Sequence, residues 1–171
     1  MTVRSITQSY QMSSEAGRER QVLIPWARLT DTTPTVGDPA QVTTLVAGQN
    51  MTGTVINAGT AADPYVILNV APGATYRHNV RNVLTYNGAG VEASWGAINI
   101  GDIVYYDATA DANTAGVCKL STSPLQGDAA TANSIFGVIM PLQDQDADDF
   151  PTAATALSDQ YAVLQGGINE S

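Results

Sequence analysis

The chain has 171 residues, enough to bury a sizeable core, and its formal net charge of −9 argues against a nucleic-acid binder, which needs a basic face. Only 13% of residues are charged, about half the usual share, while small uncharged side chains are plentiful. A single cysteine, Cys118, rules out an intrachain disulfide, and no apolar run approaches the length of a membrane-spanning helix.

The charge is unevenly placed. Residues 1–30 hold Arg4, Arg18, Arg20 and Arg28 against Glu15 and Glu19, a balance of +2. Residues 31–171 hold Arg77, Arg81 and Lys119 against fourteen carboxylates, a balance of −11. A mildly basic leader on an acidic body suits docking on an acidic neighbour, including another copy of the chain. No secretory leader is legible, because a basic start followed by an apolar stretch is missing, so a reducing, soluble setting is expected.

Residues 1–20 are polar with isolated Val3, Ile6, Tyr10 and Met12, and no period of 2 or 3.6 is sustained. They read as an extended arm that orders on a partner, with room for a short helix over 13–20. Residues 21–24 give the first strand, stopped by Pro25, with Trp26 and Leu29 as anchors. Residues 30–39 are dense in turn formers. Short strands are expected over 42–46, 52–57 and 65–70, followed by the Pro72-Gly73 turn. Residues 76–86 form a long alternating strand, with Tyr76, His78 and Val80 on one face and Arg77, Asn79 and Arg81 on the other. Asn87-Gly88 is a hairpin signal leading to a strand over 91–95.

The clearest β unit spans residues 98–140. Gly101-Asp102 is a turn pair, residues 103–106 (Ile-Val-Tyr-Tyr) have strand composition, and Tyr105 is expected in the core. A short strand over 116–120 and an apolar strand over 135–140 complete it, and Pro141 ends it. Residues 143–150 are acidic and irregular, 151–159 allow a helical turn, and 161–164 give the last strand. Gly166-Gly167 is expected to release residues 167–171 as a flexible tail. About ten short strands at regular spacing, with no amphipathic helix, predict an all-β sandwich or small barrel over 21–166.

Catalytic and metal chemistry have little to work with. His78 is the only histidine, so it reads as a packed strand residue, and Cys118 as a small buried hydrophobe. Asp144-Gln145-Asp146-Ala147-Asp148-Asp149 opens like a calcium loop, but Asp149 stands where the turn glycine belongs and Thr155 where a bidentate glutamate belongs. No phosphate-binding loop frames Lys119, the one lysine. Neither an enzyme nor a cofactor is expected.

The order of polar arm, small-residue β body, Gly101-Asp102-x-Val104 and then Ile135-Phe136-Gly137-Val138 resembles the capsid cement, or head decoration, proteins of tailed bacteriophages. The similarity covers residues 97–140 best. It implies a tulip-like β-barrel, made in the host cytoplasm, that sits on the outer surface of the mature virion capsid as a homotrimer. It also implies that the arm reaches across major capsid protein subunits, with no direct contact to nucleic acid or membrane. Arg4, Tyr10, Arg18, Arg20, Arg77 and Arg81 are then the expected capsid or subunit contacts. The competing expectation is a tail-associated or carbohydrate-binding β-module, which would gain if Trp26 and Trp95 lined one groove.

Overall fold

A computed structural model describes residues 20–30, 33–43, 49–86, 92–107, 119–125, 132–141, 160–166 and 168–170, and the side chains of all of these except 49, 83–86, 92–95, 160 and 168–170. The described residues form eleven strands and one turn of 3-10 helix. In order these are β1 (Gln21–Pro25), the 3-10 turn (Trp26–Arg28), β2 (Pro39–Thr43), β3 (Gln49–Asn57), β4 (Tyr65–Asn69) and β5 (Thr75–Tyr86). They continue with β6 (Glu92–Gly96), β7 (Ile103–Tyr106), β8 (Leu120–Ser121), β9 (Ser134–Met140), β10 (Gln160–Gln165) and β11 (Ile168–Glu170). The all-β class expected from the spacing of turn residues is what the chain adopts.

The expected single body is two compact units. One runs up to Ala74 and resumes at Gln165; the other is Thr75–Leu164. In the first, β1 pairs antiparallel with β4 from Gln21↔Asn69 to Pro25↔Tyr65, and β3 lies between β4 and β2. The strand expected from residue 42 begins at Pro39, since a first strand residue has no ladder donor to lose. After the 3-10 turn, Leu29 bridges Val42 and the Thr30 N–H reaches the Gln41 carbonyl at 2.9 Å, so the chain folds back along β2. Leu29, Ala40, Val42, Val55, Val66, Leu68 and Val70 form the core, and Trp26 packs against it. The Trp26 indole N–H donates to the Ala58 carbonyl at 2.8 Å, which settles its one polar atom.

Two expectations fail at the edges of this unit. Arg20 belongs to the body and not to the arm: its carbonyl accepts the Val70 N–H at 2.8 Å and its own N–H donates to Asn69 Oδ1. The remaining arm residues, 1–19, lie outside the described residues. Residues 168–170, expected as tail, pair with β3 through Ile168↔Met51, Asn169↔Asn50 and Glu170↔Gln49. The cause is Gln165, whose backbone is tied to Gly73 and Ala74 and whose side chain is buried. Its amide donates to the carbonyls of Asn69 (2.9 Å) and Ala71 (3.3 Å), and its Oε1 accepts from the Thr54 hydroxyl at 3.0 Å. With the chain fixed there, the next residues are delivered alongside β3.

The second unit is a closed barrel. Around it β5, β10, β9, β7 and β8 are neighbours in turn, and β8 returns to β5; β6 pairs with β5 outside the ring. Closure comes from β10 lying antiparallel on β5, from Gln160↔Asn79 to Leu164↔Thr75, and from β8 running parallel to it through Val80↔Leu120 and Arg81↔Ser121. Val80, Ile98, Val104, Tyr106, Leu120, Phe136, Ile139, Tyr161 and Val163 fill the interior. Closure pairs each of the five ring strands on both sides.

The Gln165 side chain gives a direct test of the first unit. Gln165→Met keeps the volume and leaves the Thr54 hydroxyl and two buried carbonyls without this donor and acceptor. Urea unfolding is expected to show a loss of about 2–4 kcal/mol, since each orphaned buried polar group costs roughly 1–3 kcal/mol. An unchanged midpoint would mean that water or a rearranged neighbour takes the amide's place.

Candidate interaction surface

The motif strands are neighbours in space. In the turn before β7, the Asn99 N–H donates to Asp102 Oδ2 at 2.8 Å and the Asp102 N–H to the Asn99 carbonyl at 3.1 Å. Gly101 sits at φ 92°, in the left-handed region that costs a residue with a Cβ of the order of 1 kcal/mol or more. Its N–H reaches the Ile139 carbonyl, and the Ile139 N–H returns to the Asp102 carbonyl, both at 2.9 Å. The turn thus sets the register: Ile103↔Val138 and Val104↔Gly137, then a bulge at Phe136, then Tyr105↔Ile135 and Tyr106↔Ser134. Gly137 is glycine for a second reason, because a Cβ there would run into the Leu164 carbonyl of β10 and lie 3.0 Å from Val163 Cγ1.

Register decides which side chains face out. Val104 and Tyr106 point into the barrel, so Tyr105, expected in the core, lies half-buried on the outside. With it on the exterior are Ile103 and Ile135, 45% and 41% exposed, and the half-buried Val138 and Met140. Ile100, in the turn, is 51% exposed. Leu125, bridged to Ala132 just before β9, is exposed as well. Sequence reasoning missed this face. The alternation in Ile103-Val104-Tyr105-Tyr106 carries no polar phase, so either parity was compatible with the composition.

The arginines do not converge on one site. Arg4, Tyr10 and Arg18 lie outside the described residues, as do Cys118 and the acidic run 144–149. Arg20 is exposed in the first unit, and Arg77 is exposed on β5. Arg81, expected to share the exposed face of Arg77, is 2% exposed. The alternation holds from Tyr76 to Val80, but at Arg81 the strand is flanked by β8, where its partner Ser121 is also buried. Lys119 is buried too, directly across from buried Asp107, whose N–H donates to the Lys119 carbonyl at 2.8 Å. Of the three cations in residues 31–171, Arg77 alone is at the surface. Residues 31–171 therefore offer no basic patch, and burial separates Arg81 from the exposed Arg77.

His78 is inside the barrel, as the strand pattern implied. Its ring meets Phe136 edge-on with centroids 5.2 Å apart and tilts against Tyr76 at 6.1 Å. Burial lowers its pKa from 6.5 to about 4, so it is neutral near pH 7. Among the described residues, no group of His, Cys, Asp or Glu is arranged to hold a metal ion, and no helix is long and apolar enough to cross a membrane. The Trp26 ring is engaged with the first unit's core, and the Trp95 side chain lies outside those described.

The histidine predicts a specific pH dependence. Above pH 6.5 it is neutral in both folded and unfolded chains and stability is unaffected. Between pH 6.5 and 4 the unfolded chain binds a proton that the folded chain refuses, so stability falls as pH falls, by about 3 kcal/mol at the lower end. Urea unfolding at a series of pH values should show this slope between 6.5 and 5, before most carboxylates titrate, and His78→Gln should flatten it. Comparison of the whole chain with protein-family models, with characterised proteins and with solved structures returns no match.

Proposed function

We propose that this protein is a virion structural protein of a tailed bacteriophage that binds the outer surface of the mature capsid and stabilises contacts between major capsid protein subunits. The observation that carries the reading is the way Gly101-Asp102-x-Val104 and Gly137-Val138 sit together. The two halves of the decoration-protein motif form adjacent strands of one closed barrel, and both glycines have a steric reason to be glycine. The motif in this reading is the signature of a barrel that must close, and its residues carry no chemistry.

Other features support the same role. The barrel interior is filled by side chains, which leaves the exterior and the arm to do the work. Within residues 31–171 two of the three cations are buried, so attachment through a basic surface of that part is disfavoured. A homotrimer engaging three capsid subunits multiplies modest contacts by effective concentration, so that no single contact has to be strong. The load is mechanical: neighbouring capsomers are held together against the pressure of packaged DNA.

Co-sedimentation with expanded and unexpanded shells of the cognate phage tests the proposal. Saturable binding to expanded shells, at a copy number tied to capsid symmetry, is the expected result; no binding to either overturns it. Deleting residues 2–19 should weaken attachment while leaving the thermal unfolding of the body unchanged, with Arg20 and its bonds to Asn69 and Val70 retained.

A further inference from the structure

The two units of the chain are stabilised separately. The apolar core of the first, from Leu29 to Val70, and that of the barrel, from Val80 to Val163, have no residue in common. The chain passes between the units at two places, from Ala74 to Thr75 and from Leu164 to Gln165. The first unit secures its own side of both. The Gln165 N–H donates to the Ala74 carbonyl at 2.8 Å, the Gly73 N–H donates to the Gln165 carbonyl at 2.9 Å, and the Gln165 side chain is bonded to Thr54, Asn69 and Ala71. None of these bonds uses a barrel residue, so they outlast the barrel if it opens. An opened barrel is then a loop tied at its base, and the entropy of holding a loop closed grows only slowly with its length.

The chain's single histidine lies in the barrel. His78 is 2% exposed, edge-on to Phe136 of β9 and directly across from Tyr161 of β10. A charged imidazolium there would be desolvated. The titratable groups on its side are Tyr76 on its own strand and Tyr106 and Tyr161 in the interior, and β9 and β10 carry no carboxylate and no cation. Arg81, Asp107 and Lys119 are buried as well, but they adjoin the inward Val80, Tyr106 and Leu120 in sequence and so point the other way. Burial accordingly holds the His78 pKa at about 4, against 6.5 in the open chain. Between those values the open barrel takes up a proton that the closed barrel refuses, so acid favours opening. The first unit has no histidine to respond in the same range.

We propose that the barrel is an acid-labile module carried by the first unit: acid opens it, with His78 as the trigger, while the first unit stays folded around Gln165. Opening undoes the register of β7 and β9, so any contact made by the barrel's exterior is released in acid, whereas contacts made by the first unit persist. The proposal does not rest on the capsid reading and is tested without shells, so the two stand or fall separately.

The experiment is amide hydrogen exchange of the full chain, read by mass spectrometry at about pH 7.5 and about pH 5, with intrinsic exchange rates corrected for pH. Peptides from β9 and β10 report the barrel, and peptides from β3 and β4 report the first unit. Protection in β9 and β10 is expected to fall roughly 30-fold between the two conditions, the shift in unfolding equilibrium that the two pKa values imply, while protection in β3 and β4 holds. His78→Gln should remove the pH-dependent fall, and His78→Leu takes its place if the glutamine variant does not fold. A fall of equal size in both sets of peptides overturns the proposal, because the chain then opens as one cooperative unit. Protection in β9 and β10 that is the same at both pH values overturns it as well. So does a fall that the histidine variant retains, which would assign the acid response to carboxylates.

Discussion

The barrel closes because β10 fits between β5 and β9, and that fit depends on an atom that is missing. Residue 137 faces the carbonyl of Leu164 so closely that a Cβ has no place, and Val163 stands against the same point. Backbone polar groups inside a sheet must stay paired, so the strand cannot simply move away to admit a side chain without breaking its ladder. Once β10 is seated, Tyr161 and Val163 complete the interior beside Phe136, Ile139 and Val104. The turn at Gly101 acts earlier in the same chain of causes. It fixes the phase of β7, and the phase decides that Val104 and Tyr106 face inward while Ile103 and Tyr105 face outward. Core and exterior surface are therefore two results of one register.

The first unit solves a different problem. Its apolar core is built from Val, Leu and Ala, with few large side chains, and part of its buried interior is polar. Thr52, Thr54, Asn69 and Gln165 are all nearly inaccessible. Gln165 links Thr54, Asn69 and Ala71 through one amide, and Asn69 Oδ1 takes the N–H groups of Arg20 and Ala71. A satisfied amide fixes geometry more narrowly than an aliphatic would, since its donors and acceptors admit one arrangement. Through it, residues distant in sequence are held at the place where β11 joins β3.

Most strands were legible in the sequence because Thr, Val, Ile and Tyr recur between Gly, Pro and Asn turns, and that pattern is local. What escaped was set by distant partners. β8 is two residues long and takes its place from β5 and β7, which lie about forty and fifteen residues before it in the chain. β11 follows a glycine pair that reads as a release, and only the anchoring of Gln165 turns it back. The contact residues were the least legible. Arg81 has the same alternation as Arg77, yet burial separates them, and Lys119 looks like a surface residue until Asp107 is found opposite it. The apolar exterior of β7 and β9 was invisible because an all-apolar strand does not announce which side is covered.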